Sequence, residues 1–162
     1  MIRLRNMTSL YLVREDAVLC LYRVGSRVAN NKFIGSCGGH FEENELNDPY
    51  GCILREMEEE LGLQETDVEG LSLRYITHRL AKGEIRQNYY FFARLKEEKQ
   101  LQSNEGTLKW VSFGEMPALS MPVSAKHMIL HYLQTGRFTD CIYAGITEET
   151  GTKFTEMKEF DG

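Results

Sequence analysis

The 162-residue sequence lacks the features that mark several special classes of protein. No apolar run is long enough for a membrane span or a signal peptide, so we expect a cytoplasmic protein that stays out of the membrane. Repeats, low-complexity tracts and linkers are also absent, which suits a single domain over residues 1–162. Cysteine is sparse, and Cys20, Cys37, Cys52 and Cys141 include no CxxC pair. We therefore predict reduced, mostly buried thiols rather than disulfides or a zinc site.

Lysine is absent between Lys32 and Lys82, although this interval contains a strongly acidic stretch. If the stretch is helical, Glu56, Glu59 and Glu60 share one face, because residues three and four apart are neighbours on a helix. A solvated acidic face is one explanation, but lysines four residues away usually stabilise such a face, and none is present. Mg²⁺ takes oxygen ligands and is shared between carboxylates and substrate phosphates. The sequence therefore predicts a metal-dependent enzyme that acts on phosphates.

Helix signals surround the acidic stretch. Asp48 is a suitable N-cap, and Pro49 suits the first helical position, where no N–H is needed. Gly62, followed by an apolar residue, predicts a helix end of the Schellman type. An apolar stripe beside the acidic one consists of Ile53, Met57 and Leu61. We therefore predict a helix that begins after Asp48 and ends before Gly62.

Residues 38–63 resemble the Nudix box, the pattern G-x(5)-E-x(7)-R-E-U-x-E-E-x-G-U in which U is aliphatic. Gly39 and Glu45 match the first half, and residues 55–63 match every specified position of the second half. Nine residues separate Glu45 from Arg55 where the pattern has seven, and the strict spacing would put Asn47 in the place of the glutamate. We interpret the two extra residues as a longer loop from which Glu45 still reaches the site.

The resemblance implies a fold and a reaction. The fold is an α/β/α sandwich with a mixed β-sheet. The reaction is hydrolysis of a diphosphate linked to another moiety, commonly a nucleoside, with Mg²⁺ or Mn²⁺. The implied metal ligands are the Gly38 carbonyl and the carboxylates of Glu56, Glu59 and Glu60, with Arg55 orienting one of them. A chain of formal charge −5 would need such cations to accept an anionic substrate.

The general base for the attacking water is left open by the resemblance. A glutamate of the box is one choice, and Glu45, Glu59 and Glu60 are the candidates. Glu105 is another, because Nudix enzymes often supply a further glutamate from a polar loop ahead of a strand. Residues 104–106 could also form only a turn.

Residues 21–41 resemble the entry to nucleoside triphosphate hydrolases of the MutT type, in which an Arg, a polar loop and a Lys-aromatic pair precede two glycines. On that resemblance, Arg23 contacts the nucleotide, and Lys32 and Phe33 shape the floor of the base pocket. Phe33 could equally be a core aromatic residue, and Arg23 could be a surface residue.

Side chains further along the chain also have alternative interpretations. Arg86 could bind a phosphate or pair with an acidic neighbour. Tyr89 lies in the run 88–92, where successive side chains point to opposite sides of a strand. Some of these aromatic side chains could face the ligand and others the core. His127 and His131 have the spacing of a zinc helix but lack the adjacent Glu, so we interpret them as a partly exposed helix surface.

The remaining pattern predicts short strands and one further helix. Strands are predicted over 8–13, 17–22, 71–77, 87–95 and 108–113, with a polar loop at 23–32 and a turn-rich link at 81–84. A second helix is predicted over 124–134, capped by Ser124 and ended at Gly136. Strands over 141–146 and 153–157 would form a final hairpin, and 138–162 could be an appendage to the domain.

We expect a Mg²⁺-dependent pyrophosphohydrolase that converts a nucleoside triphosphate, ordinary or oxidised such as 8-oxo-dGTP, to the monophosphate and pyrophosphate. The expected partner is the nucleotide, with no nucleic acid polymer and no membrane, and the protein would be a monomer or homodimer. One alternative substrate is a nucleoside diphosphate derivative such as ADP-ribose, although the Pro often found past the box in those hydrolases is absent. A non-catalytic nucleotide-sensing module is the other alternative, but such modules usually lose the box carboxylates that this chain keeps.

Overall fold

The computed structural model describes residues 1–25 and 30–162, and these residues form nine strands and two α-helices. The strands are β1 (Arg3–Arg14), β2 (Ala17–Arg23), β3 (Lys32–Ile34), β4 (Cys37–His40), β5 (Val68–Ala81), β6 (Glu84–Leu95), β7 (Thr107–Ser112), β8 (Ile142–Glu148) and β9 (Gly151–Met157). The helices are α1 (Pro49–Leu61) and α2 (Val123–Gln134). Short 3₁₀ turns cover Glu43–Glu45, Glu65–Asp67, Met116–Ala118 and Gly136–Phe138. Within the loop predicted at 23–32, residues 26–29 lie outside the described part.

The strands form one mixed sheet in the order β3-β2-β1-β6-β5-β8-β9. β1 runs parallel to β6, and β5 runs parallel to β8. β1 pairs with β2 through residues 12–14 and with β4 through residues 7–10, so the two partners share one edge of the same strand. This arrangement places the glycines of β4 beside the middle of β1.

The two helices cover opposite faces of this sheet. Alternation along β1 sends neighbouring side chains to opposite sides. Leu10 and Leu12 belong to a core cluster with Ile53, Met57 and Leu61 of α1. A second cluster joins Tyr11 and Val13 to Met128, Ile129 and Tyr132 of α2. The predicted α/β/α sandwich with a mixed sheet is confirmed.

Helix α1 has the ends that its sequence predicts. The Asp48 carboxylate accepts a hydrogen bond from the Gly51 N–H at 2.9 Å, and Pro49 is the first helical residue. Gly62 takes the left-handed conformation, with φ +67°, and its N–H donates to the Glu58 carbonyl at 3.0 Å. Both ends are therefore set by local chemistry, and they fix which face of α1 meets the sheet.

The β5–β6 hairpin is longer than predicted. Its strands include Ala81 and Glu84 of the link expected at 81–84, so only Lys82 and Gly83 turn, both with positive φ. A two-residue turn of this kind matches the twist of the strands it joins. The polar side chains of Arg79 and Arg86 hid the strand signal in the added segments, because they line a cleft rather than the core.

Helix α2 begins one residue earlier than predicted, and the predicted cap is wrong. Pro122 occupies the N-cap position, and no side chain caps the helix there. Ser124 is buried inside the first turn, where its hydroxyl donates to Thr147 Oγ1 in β8 at 3.1 Å. The hydroxyl therefore ties the helix to the sheet. The helix ends at Gln134, ahead of a 3₁₀ turn that begins at Gly136.

The final hairpin, β8–β9, extends the sheet, because β8 pairs with β5 in parallel register. His127 and His131 are partly buried and bond the hairpin and sheet, to Thr152 Oγ1 and to Tyr75 Oη, each at 2.8 Å. The four cysteines are free; three are buried and Cys141 is partly exposed. In the described part of the chain, no helix is long and apolar enough to cross a membrane.

Candidate active site

A cleft of about 850 Å³ opens where α1, β4 and the hairpin β5–β6 approach the first turn of α2. Its floor is the face of β1 that carries Met7, Ser9 and Tyr11. One wall is acidic and belongs to α1, and other parts of the lining are cationic and belong to strands. The charged lining residues are Arg23, Lys32, Glu42, Arg55, Glu56, Glu60, Arg79, Arg86 and Glu105.

Two carboxylates of α1 lie against the glycines of β4, Glu56 buried and Glu60 partly buried. Glu60 accepts a hydrogen bond from the Gly38 N–H at 3.0 Å, and Glu56 packs directly on Gly39. Burial raises the pKa of Glu60 to about 7, and it also raises the pKa of Glu56. Gly38 has φ +153°, and a Cβ there would overlap the backbone of β1, so only glycine allows this approach.

Arg55 connects the acidic residues to each other. Its guanidinium donates to Glu45 through two bonds, Nε to Oε2 at 2.8 Å and Nη2 to Oε1 at 2.9 Å. The same group lies 3.0 Å from a carboxylate oxygen of Glu56 and 3.0 Å from one of Glu59. Nη2 also donates to the His40 carbonyl in β4 at 3.1 Å. Arg55 therefore positions three glutamates relative to β4.

The longer loop still brings Glu45 to this group. Residues Glu43–Glu45 form a 3₁₀ turn in which the Glu42 N–H donates to Glu45 Oε1 at 2.9 Å. Glu45 is only 7% exposed, and its bond to Arg55 holds the pKa of the carboxyl below its usual value. The two extra residues relative to the pattern are absorbed between this turn and Asp48.

The carboxylate oxygens in the cleft are the type of ligand that a hard divalent cation prefers. Glu56 offers a buried carboxylate and Glu60 a partly buried one, and Glu60 has no ion pair among the described residues. Glu59 is different, because its side chain is 57% exposed, pairs with Arg55 and lies outside the cleft lining. In the described part of the chain, no three acidic, Cys or His side chains are grouped closely enough to hold a metal as they stand. Two of the predicted ligands thus lie together, and Glu59 turns toward Arg55.

Arg23 and Glu105, both predicted as site residues, form an ion pair in the cleft lining. Arg23 Nη2 donates to Glu105 Oε2 at 2.8 Å. Arg23 ends β2, and Glu105 precedes β7, which pairs with β2. Glu105 is also close enough for its charge to raise the pKa of Glu60. The pairing of these two side chains could not be read from their sequence positions.

The two predicted aromatic contacts lie outside the cleft lining. Phe33 packs on Tyr22 with ring centroids 4.8 Å apart, and it also touches the α2-side core. Tyr89 packs on Phe41 at 5.3 Å and belongs with the α1-side core. From β6, the side chains of Arg86, Asn88 and Tyr90 line the cleft instead.

Arg79 and Asn88 also line the cleft, although neither was predicted from the sequence as a candidate site residue. Both lie on the cleft side of the long hairpin, where Arg79 is directly opposite Arg86 and Asn88 is opposite Thr77. A period-2 count from the predicted contact Arg86 would have found Asn88. Nothing in the sequence gives the register that brings Arg79 opposite Arg86.

The NUDIX domain family matches residues 3–132 of the chain. No curated protein matches the sequence at a significant level. Among solved structures, the MutT protein from Bacillus halodurans is similar, at 22% identity and a TM-score of 0.64, with 93% of this chain and 97% of that one covered. A Nudix hydrolase from Nitrosomonas europaea is similar at 16% identity and a TM-score of 0.68, with 90% and 80% covered.

An Ap4A hydrolase from C. elegans has a similar fold as well, at 15% identity and a TM-score of 0.67, with 83% of this chain and 99% of that one covered. Identities this low establish the shared fold alone. The family match supports membership in the family, since it covers the box, the cleft strands and most of α2. Nudix hydrolases generally use a divalent metal, commonly Mg²⁺. The chain belongs to the Nudix family and is a Nudix pyrophosphohydrolase.

Proposed function

We propose that the protein hydrolyses a nucleoside triphosphate, ordinary or oxidised, to the nucleoside monophosphate and pyrophosphate. The observation that supports this most directly is the composition of one cleft. It brings the carboxylates of Glu56 and Glu60 into the same cleft as several cationic side chains of the sheet. A polyphosphate with its metal ion meets both requirements, because the metal needs oxygen ligands and the remaining phosphate charge needs guanidinium or ammonium groups.

The cation, Mg²⁺ or Mn²⁺, would be held by the Gly38 carbonyl and by Glu56, Glu59 and Glu60. When bound, it would neutralise phosphate oxygens and lower the pKa of the attacking water. Arg55 acts through the ligands, because it contacts Glu56 and Glu59 at 3.0 Å and is itself held by Glu45. Glu59 would serve as a ligand only after giving up its ion pair with Arg55.

Glu105 is our candidate for the general base, with the box glutamates as the alternative. Its carboxylate is 41% exposed and pairs with Arg23. When the nucleoside part of the substrate takes the Arg23 guanidinium, Glu105 loses that partner and can accept a proton from water. Substrate binding and release of the base are coupled in this scheme.

Arg23 and Lys32 lie at the same end of the cleft, because β2 and β3 pair with Arg23 directly opposite Lys32. We propose that this end receives the nucleoside part of the substrate. Phe33 follows Lys32 in β3 and supports it by packing on Tyr22. Tyr89 has a similar supporting role, because it packs on Phe41, which lines the cleft.

The experiment that tests the proposed function is a substrate panel with purified protein and Mg²⁺, read by chromatography of the products. The panel contains ordinary and oxidised (d)NTPs, ADP-ribose, NADH and dinucleoside polyphosphates, and Glu60→Gln is the control for contaminating activity. Conversion of a triphosphate to monophosphate and pyrophosphate supports the proposal. Turnover of only ADP-ribose or a dinucleotide keeps the metal chemistry and overturns the substrate. Silence on the whole panel overturns the proposed function.

A further inference from the structure

Three arginines are aligned across neighbouring strands at one end of the cleft. Arg5 in β1 is the register partner of Arg86 in β6, and Arg86 is the register partner of Arg79 in β5. Neighbouring strands are about 4.8 Å apart. Like charges directly opposite one another destabilise a sheet. Folding alone gives no reason for this row.

The row has too little negative charge to balance it. Glu84 is the carboxylate that contacts it, at 3.0 Å from Arg86 and 3.8 Å from Arg5. In the described part of the chain, Arg79 has no ion pair. Three guanidinium groups, which stay charged at any working pH, therefore meet one carboxylate. An anion from outside the protein would supply the missing charge.

The missing anion has to lie in the cleft. Arg79 and Arg86 both line the cleft that also contains Glu56 and Glu60, and the Arg86 side chain is 34% exposed. Arg86 uses Nε to reach Glu84, which leaves its two terminal nitrogens as donors. The donors of both side chains are therefore available to a bound molecule. Arg5 is outside the cleft lining, and it donates to His40 Nε2 at 3.0 Å. It therefore adds positive charge to the row without lining the cleft.

The two ends of the cleft differ in charge balance. At the β2–β3 end, Arg23 already has the carboxylate of Glu105 at 2.8 Å. At the β5–β6 end, the arginines outnumber their partners. The carboxylates of α1 lie in the same cleft. A phosphate chain whose reacting phosphates are at Glu56 and Glu60 and whose nucleoside is near Arg23 would have its far end at Arg79 and Arg86.

We propose that Arg79 and Arg86 form a clamp for the terminal phosphate of the substrate, the one farthest from the nucleoside. This rests on the proposed function and adds to it a basis for selecting chain length. A nucleoside triphosphate reaches the clamp, and the matching diphosphate, which is one phosphate shorter, leaves it empty. The clamp acts on binding, because the terminal phosphate is not the one attacked.

The test compares KM and kcat for a nucleoside triphosphate and its diphosphate in Arg79→Gln and Arg86→Gln. A lost charge-assisted bond should raise KM for the triphosphate about tenfold in each variant. The value of kcat and the KM for the diphosphate should stay within about twofold of the wild type. Arg94→Gln is the matched control, because Arg94 lies on the same strand as Arg86, is exposed and is outside the cleft lining.

Equal changes in KM for the triphosphate and the diphosphate overturn the clamp, since the two arginines would then contact a part that both substrates share. Unchanged KM values for both also overturn it. If the protein hydrolyses no nucleotide, the proposed function fails, and the clamp is then tested by binding of inorganic tripolyphosphate with Mg²⁺. Binding about tenfold weaker in both variants than in Arg94→Gln supports the clamp, and equal binding overturns it.

Discussion

The Arg55 guanidinium binds the Glu45 carboxylate side-on through two hydrogen bonds, of 2.8 and 2.9 Å. Paired bonds of this kind fix orientation as well as distance. The same guanidinium contacts Glu56 and Glu59, which are proposed metal ligands. The bond to Glu45 therefore helps to set the positions of these two carboxylates. We therefore propose that Glu45 is a positioning residue, which gives the first of four predictions.

Glu45→Gln should lower kcat about tenfold, because Gln keeps the shape but loses the charge that holds Arg55, and such supporting contacts are worth roughly 10–100-fold. Replacing Arg55's buried partner should also lower the free energy of unfolding by about 1–3 kcal/mol. Steady-state kinetics and urea unfolding measure the two effects. Glu43→Gln is the control, since Glu43 lies exposed in the same 3₁₀ turn. Wild-type kcat in Glu45→Gln would contradict the positioning role.

Glu60→Gln should reduce kcat more than Glu59→Gln does. Glu60 is partly buried and lines the cleft, whereas Glu59 is mostly exposed and bonded to Arg55. Loss of a ligand removes charge stabilisation of the transition state, for which about 10²-fold or more is expected. Both variants should keep the fold by circular dichroism. The ranking would be reversed if Glu59 were the principal ligand, and wild-type rates in both would remove the metal site from α1.

Gly39→Ala should impair Mg²⁺ binding with little loss of stability. A Cβ at this position would overlap the carboxylate of Glu56, which can rotate away, so the strain falls on the ligand and not on the backbone. Calorimetric Mg²⁺ titration and thermal unfolding separate the two outcomes. Gly114→Ala is the control, because a Cβ there meets nothing within 4 Å. Normal Mg²⁺ affinity in Gly39→Ala would mean that the Glu56 carboxylate is not a ligand.

The metal-free protein should lose stability as pH rises from about 4.5 to about 7. Burial raises the pKa of Glu60 from 4.5 to about 7, so in this window the folded state binds a proton that the unfolded state has released. The stabilising contribution is complete below pH 4.5 and is lost by pH 7. Glu56 adds to this trend, while Glu45, whose pKa is lowered, contributes stability that is lost only below this window.

The measurement is Tm against pH in EDTA, for the wild type and Glu60→Gln. The difference in Tm, wild type minus variant, should fall across the window, because Gln does not titrate. Added Mg²⁺ should raise the Tm of the wild type most at the upper end, where Glu60 is ionised. A constant difference in Tm across the window would show that Glu60 titrates with its ordinary pKa.

The sequence alone determined α1, its ends and its acidic face. These depend on contacts within a few residues, such as the bond from Asp48 to the Gly51 N–H and the left-handed Gly62. The order of the longer strands and of both helices was predicted from local periodicity, but the short strands β3 and β4 were not. Where a local signal was replaced by a distant partner, the prediction failed, as at Ser124, whose hydroxyl bonds Thr147 rather than capping α2.

The tertiary structure alone decided which side chains meet. Arg55 and Glu45 are ten residues apart, and their bond depends on how the loop between them folds. The spacing in the sequence could not show that the two side chains meet. The pair Arg23–Glu105 joins residues 82 positions apart through the pairing of β2 with β7. Arg79 and Arg86 face one another only because of strand register, which is set by the turn at Lys82 and Gly83 and by packing of the whole sheet.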